Sequence, residues 1–553
     1  MTDTRQALPL VTHDAISVSI MWDRLVAIAD EIVSTLMRTS FSTIVAESYD
    51  LTVAILDANG QLLCQGTKSL PVFMGTAPVT LQHFLTRYPP ETLKPGDVLI
   101  SNDPWIGTGH LFDINVMRPV FVEQEIVGYT MSITHLPDIG GLGFGASATE
   151  IYHEGLRIPI VKLFDGGVRN ELVVEFISNN VRTPDQVLGD LFANVTCNEV
   201  GERMLLEFMQ EYKLSSLESL SYSIRHYSET AMRSAIRTME DGVYAHSIQI
   251  EGIDAPMTLS CVVKVSGDAL AISFDGTDPC VRQGINVPFC YTNAMVLYAI
   301  KCLTVPALPN NAGTLAPVAV SAPPGCLLAA EHPSPTGARH VIGHFVAPLI
   351  FGALADAAPA LVQADSGMAD LVTFQGRHPN GRAVAGLYFA SGGFGALENH
   401  DGLAVTPGPS NMAVVPTELW EALTGTMIEY KRLVPDSGGP GAARGGLGQE
   451  LVIRNDTGSL MTVFFMGNRT EFPPAGLVGG EPGQLRRHQV NGKTVHPKGQ
   501  YHLSPGDRIT LVEAGGGGFG KPAERSRELI RHDIAEGYVT PAGAARDYGF
   551  DGG

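Results

Sequence analysis

The stretch that decides the reading is GHLFDINVMRPVFVEQEIVGYTMSITHLPDIG, residues 109–140. It holds the pattern His-Leu-x-Asp-Ile twice, first as His110 with Asp113 and then as His135 with Asp138. Between the copies lie two runs, DINVMRPVFV and EIVGYTMSIT, rich in Val, Ile and aromatic residues and separated by a short polar turn at Glu123–Glu125. That is the pattern of a β-hairpin. With the turn centred on Gln124, antiparallel pairing sets Asp113 opposite His135 and His110 opposite Asp138. Directly opposed residues have Cβ atoms about 4.5–5.5 Å apart. Two imidazoles and two carboxylates thus gather at one end of the hairpin, a donor set that suits a divalent metal. Nitrogen and oxygen ligands alone leave zinc, manganese and iron open.

Outward from this ribbon, the N-terminal segment reads as helix over residues 16–40, with Ile20, Leu25, Ile28, Ile32 and Leu36 at helical spacing. LTVAILD and QLLCQG flank Ala58-Asn59-Gly60, a strong hairpin turn. APVTLQHFLTRYP is predicted helical, as are residues 202–241, with Gly242 as the stop. Hairpins are predicted again at LSCVVKV-SGD-ALAISF, ELVIRN-DTG-SLMTVFF and HQV-NG-KTV. Residues 434–448, dense in Gly and Pro, read as a linker or a long functional loop. Two short helices close the chain, the second with Thr540 as N-cap and Pro541 at its first position. The expected class is α+β and multidomain, with mixed hairpin-rich sheets and helices: a metal-site domain over 1–245, a β-rich middle domain over 246–433, and a C-terminal β domain with a helical tail over 434–553.

Composition bounds the function. The chain has 553 residues, too many for one core. The net charge of −20 argues against nucleic-acid binding, which needs basic surface. Seven cysteines without a CxxC pair fit a reduced, cytoplasmic protein better than a disulfide framework. The opening MTDTRQALPL lacks the basic-then-apolar layout of a signal peptide. The apolar run from His344 to Leu361 carries Asp356 and two prolines, so it reads as a buried helix and not as a membrane span.

PGDVLISNDPWIGTGHLFDINVMRPVF, HLPDIGG, ATEIYHEGLRIPIVKL, SFDGTDPCVRQGINVP, RLVPDSGGPGAARGGLG and GGGGFGKP followed by EGYVTPAGAARDYG together resemble the hydantoinase B/oxoprolinase family, in order over nearly the whole chain. The resemblance implies a subunit of an ATP-dependent enzyme, paired with a hydantoinase A-type subunit of ATPase fold that binds most of the ATP and magnesium the complex consumes. It implies a divalent metal, zinc or manganese, held by His110, Asp113 and His135, with Asp50 of SYDLT a further candidate. Asp138 is then a ligand, a supporting partner or a base. The implied reaction is hydrolysis of a cyclic amide (a hydantoin, oxoproline or lactam) after phosphorylation of its carbonyl; the alternative is an acetone- or acetophenone-type ketone carboxylase. Phe73, Phe112 and Trp105 stand where the family pattern has His, Pro and Tyr. These changes argue against a small polar hydantoin and leave room for a lactam or an aryl ketone.

Other residues are candidates for acid–base work near the metal: Glu47, His153, Glu150 and Glu154. Arg157 is a candidate anion binder. GGGGFGKP, residues 515–522, lacks the Lys-Ser/Thr ending of a phosphate loop and reads as a tight Gly turn packed at an interface. GGLGFG, residues 140–145, reads as a mobile loop beside the metal.

Overall fold

A computed structural model describes residues 13–551, so the leader-free reading of the first ten residues lies outside the described part. The hairpin is the centre of a seven-stranded sheet of order β2-β1-β5-β4-β3-β6-β7. Its strands are β1 (Leu51–Asp57), β2 (Leu62–Gln65), β3 (Val98–Ser101), β4 (Asp113–Val122), β5 (Glu125–His135), β6 (Val161–Asp165) and β7 (Val168–Arg169). β4 and β5 pair in the predicted register, with Asp113 opposite His135 and Met117 opposite Met131. Near the tip the register shifts by one residue, so that Val122 faces Glu125, and Glu123 takes a left-handed φ of 55°. The β1–β2 turn forms as expected: Gly60 has φ 75°, and Asp57 Oδ1 accepts from the Asn59 and Gln61 amides.

Both faces of this sheet are covered, and so β1, β3 and most of β4 and β5 are buried without alternation. On one face lie the helices Ala15–Thr39 and Pro184–Glu211, which bury Leu25, Ile28, Ile32 and Leu36 with Val53 and Ile55. On the other, the helix Thr76–Arg87 buries Leu81 and Phe84 against Leu56, Met117 and Met131. The predicted helix over 202–241 is two: Pro184–Glu211 starts earlier, the chain breaks near Lys213 at φ 55°, and Glu218–Ile236 follows. Among the described residues no helix is long and apolar enough to cross a membrane. The apolar run after His344 keeps a helix only over Val346–Ala353.

Three smaller sheets follow. The hairpin at residues 257–273 and that around Asn491-Gly492 form as predicted. ELVIRN and SLMTVFF do not pair. Gln449–Arg454 joins strands Met427–Leu433 and Arg508–Val512, whereas Met461–Phe465 joins Ala369–Arg377 and Gln500–Leu503 in another sheet. The expected divide at 433/434 therefore falls between paired strands of one sheet, and that at 245/246 falls inside the strand Gly242–Ile250. The closing helices, with Thr540 capping the Gly543 amide, are present.

The glycine-rich segments have one joint explanation. Residues 392–395, 437–446, 476–483 and 515–518 run side by side and bond through their backbones: Gly393 donates to Ala514 O at 2.8 Å, Gly439 to Gly516 O at 2.8 Å and Gly518 to Glu481 O at 3.0 Å. A Cβ on Gly515 would sit 1.8 Å from Ser437 O. GGGGFGKP and residues 434–448 therefore contribute segments to one buried glycine bundle, at whose glycine positions only a hydrogen side chain fits.

Candidate metal centre

At the open end of the hairpin the chain places His110, Asp113 and His135 so that one donor atom of each lies within 4.8 Å of the others. Asp113 opens β4 and His135 ends β5, the last pair of the ladder. His110 sits in the turn before β4, where Gly109 takes φ 99°. All three are buried. His110 Nε2 lies 2.8 Å from Asp113 Oδ1 yet forms no hydrogen bond, and His135 Nδ1 lies 3.5 Å from the same oxygen. A buried imidazole nitrogen 2.8 Å from a carboxylate oxygen, but not aligned to hydrogen-bond it, leaves both atoms free to face one cation, so these residues fit a divalent metal. The other atoms of both ligands are fixed. His110 Nδ1 lies 3.0 Å from Gly337 O, and Asp113 Oδ2 accepts from Thr108 Oγ1 at 2.5 Å and from Arg339 at 2.7 Å. Such outer partners set the tautomer and aim of metal ligands.

Burial favours the uncharged form of each group, and the neighbours decide how far it gets. For Asp113 burial pushes the carboxyl up, but His110 and Arg339 outweigh it and hold it well below the usual carboxylate range. Burial pulls His110 down to about 4, with Arg339 adding to the effect against the opposing pull of Asp113. Burial also raises Asp50 to about 6, against the opposing fields of His135 and Arg339 and with help from Asp113. Asp50 thus lies within the field of the triad, and its backbone carbonyl accepts from the His135 amide at 3.2 Å.

The remaining predicted site residues go elsewhere. Asp138 lies beyond the last ladder pair, where Leu136-Pro137 ends the strand, and the twin symmetry breaks there. Its carboxylate is held by Arg182 and by the Gly140 amide, so it is buried but already spoken for. His153 is half exposed and pairs with Glu150 at 2.9 Å. Arg157 pairs with Asp103. Glu47 ends the short helix Thr43–Ala46, three residues before Asp50. Glu154 is buried instead, and its Oε1 accepts from the Thr336 and Gly337 amides at 2.7 Å, which supports the turn that holds His110. In the 140–145 loop, Phe144 is packed, its ring 4.9 Å from His135 and 5.6 Å from His110. Phe112 stacks on His135 at 5.3 Å, and Trp105 lines a cavity of about 480 Å³ with Val79, Phe289, Cys290, Asn293 and Glu331. No triad residue lines that cavity; Tyr291, which follows the lining residue Cys290, packs on Gly109 and lies 4.6 Å from the Arg339 guanidinium.

Sequence reasoning missed Arg339, His340 and His344. They lie in PTGARHVIGHF, more than two hundred residues from the twin motif, with no repeat to draw notice.

An antiparallel ribbon with two histidines and an aspartate at its end, fixed from behind by an arginine, defines a mixed α/β protein with a candidate metal centre. The hydantoinase B/oxoprolinase family model matches residues 14–522, and the chain belongs to that family. The B component of a putative D-/L-hydantoinase from Pseudomonas sp. (strain NS671) is 29% identical over 564 residues, covering 97% of this chain and 95% of that protein. The caprolactamase beta chain of Pseudomonas jessenii is 29% identical over 97% of this chain and 96% of its own length. The crystal structure of the ATP-dependent caprolactamase from that organism superposes with a TM-score of 0.89 at 27% identity, over 98% of this chain and 97% of that one. An acetone carboxylase solved without nucleotide has the same fold, with a TM-score of 0.87 at 18% identity, over 97% of this chain and 80% of that one.

Proposed function

We propose that this chain is the metal-bearing subunit of an ATP-dependent enzyme of two subunit types, and that its centre opens a cyclic amide. The observation that carries this reading is the convergence of His110 Nε2, Asp113 Oδ1 and His135 Nδ1 on one buried point. Likeness to a caprolactamase chain over nearly the full length of both supports the amide branch over the ketone carboxylase, whose likeness is one of fold.

An amide carbonyl is a poor electrophile at neutral pH. Transfer of the γ-phosphoryl group of ATP to its oxygen, on a hydantoinase A-type partner, gives an imidate phosphate. Addition of one water gives a tetrahedral adduct whose ring C–N bond breaks, the leaving nitrogen taking a proton and the carbonyl carbon staying as an acyl phosphate. A second water then cleaves the acyl phosphate to carboxylate and phosphate. A divalent cation held by His110, Asp113 and His135, with Asp50 as a fourth ligand, would supply Lewis acidity there. The chain's own groups prepare the site. Arg339 and Thr108 orient Asp113, Gly337 fixes the His110 ring, and Phe112 and Phe144 keep water off the imidazoles. The cavity beside Trp105 and Phe289 has room for an apolar ring of lactam size.

The test is turnover by the purified complex with lactams, hydantoins and 5-oxoproline, each with ATP and with or without bicarbonate. The reading expects ATP-dependent ring opening that ignores bicarbonate. A strict bicarbonate requirement with a ketone, or full activity of this chain alone, overturns it.

A further inference from the structure

We infer that His340 is a catalytic residue that hydrogen-bonds the reacting carbonyl group across from the His110–Asp113–His135 triad. The inference rests on the reading of that triad as the place where a carbonyl compound binds.

Position comes first. The turn over residues 336–340 is clamped to the triad at two points. Gly337 O holds His110 Nδ1 at 3.0 Å, and Arg339 holds both Asp113 Oδ2 and the Thr108 carbonyl at 2.7 Å. His340 is the next residue, so its place relative to the triad is set by the bonds that aim the ligands. Its ring centroid lies 5.7 Å from that of Phe144, which also touches His110 and His135. Three imidazoles therefore surround one phenyl ring.

The state of the ring comes second. His340 is 4% exposed, and neither ring nitrogen has a partner. Among the described residues no other imidazole has both nitrogens buried and unpartnered. His110 reaches Gly337 O, and His488 reaches Asp370. Buried polar atoms are nearly always satisfied by protein, water or ligand. Burial, with His344 and Arg339 adding, keeps this imidazole well below its usual pKa, so at neutral pH it offers one N–H and one lone pair. That pair of functions can donate to a carbonyl-derived oxygen and accept from a ring N–H. The acid–base candidates expected from sequence are engaged elsewhere, Asp138 with Arg182 and His153 with Glu150.

The experiment uses the full complex loaded with zinc, and acetohydroxamate as a carbonyl-bearing probe followed by titration calorimetry. H340A and H340Q are compared with the wild type for metal content, melting temperature and probe affinity. The inference expects unchanged metal, at least tenfold weaker probe binding in H340A, and partial recovery in H340Q, which keeps a donor and an acceptor. With a lactam substrate kcat falls at least a hundredfold in H340A, the usual scale for a lost hydrogen bond to the reacting oxygen. Probe affinity within twofold of wild type in both variants overturns the inference and leaves a water-filled structural role. Loss of metal in both variants overturns it too, because His340 would then be a ligand. No probe binding by the zinc-loaded wild type overturns the carbonyl-binding centre itself. Tight probe binding without any lactam turnover refutes the amide reading separately, and the His340 contact is then decided by the probe alone.

Discussion

Replacement of Arg339 by Met is the sharpest perturbation of the centre. Arg339 is buried and supplies the cation that Asp113 Oδ2 faces at 2.7 Å; its Nε also caps the Thr108 carbonyl. Met fills much of the same space without charge. In the metal-free protein the change removes the guanidinium that faces this buried carboxylate. Removing one partner of a buried pair costs about 3–5 kcal/mol. At about 2.1 cal/mol/K of unfolding entropy per residue, a chain of this length unfolding as one unit loses about 3–4 °C. By linkage the loaded form loses the penalty of the metal-free form plus whatever metal affinity is lost, so it should lose more than the chelated form. The metal itself should bind about 10–100-fold more weakly, as is usual when an outer partner of a ligand is removed. Melting curves of wild type and R339M, each with chelator and with saturating zinc, read both effects. Equal losses in the two forms, or a chelated form that melts within 1 °C of wild type, would refute the role given to Arg339.

Glu154 gives a pH signature. Burial pushes its carboxyl up to about 8, against the opposing pull of the Gly337 and Thr336 amides. The folded state therefore keeps a proton that the unfolded chain releases near its ordinary value. The contribution of Glu154 is complete at low pH and is lost as pH rises from about 4.5 to about 8. Glu154→Gln keeps an acceptor for both amides and removes the titration. The variant should melt higher than wild type at pH 8.5 and level with it at pH 4.5; parallel pH curves would sink this reading. In the glycine bundle, a Cβ on Gly516 would lie 2.1 Å from the Phe394 carbonyl oxygen, which has no freedom to move aside. Gly516→Ala should cost about 3 kcal/mol or more. Gly458→Ala, with φ 73° and open space around it, should cost only about 1–2 kcal/mol of backbone strain. Similar losses of melting temperature in the two variants would contradict the packed bundle.

How far the sequence carries can be read from single residues. The β4–β5 register was legible because two long β-type runs flank a short turn, and pairing then forces Asp113 against His135. Asp138 was misplaced by the same symmetry. The second copy contains Pro137 in place of Phe112, the strand stops, and the chain turns toward Arg182. His153 looked available because nothing in sequence shows that Glu154, one residue on, takes the buried position. ELVIRN and SLMTVFF look like hairpin arms, but their backbones pair in different sheets while Leu451, Ile453, Met461, Val463 and Phe465 share the core between those sheets, a tertiary demand stronger than local turn chemistry. Arg339 and His340 were illegible for a different reason. They reach the centre across the chain from an ordinary-looking segment, and no local spacing encodes a contact over such a separation. The glycine bundle stood out in composition, yet its meaning depends on four segments lying together.

The most direct test of the central claim is the metal content of the purified protein by elemental analysis, beside His110→Ala and His135→Ala with their folding checked by circular dichroism. The account predicts about one equivalent of zinc or manganese in the wild type and its loss from both folded variants. A wild type that takes up no divalent metal, or variants that keep it, would contradict the centre proposed at the end of this hairpin.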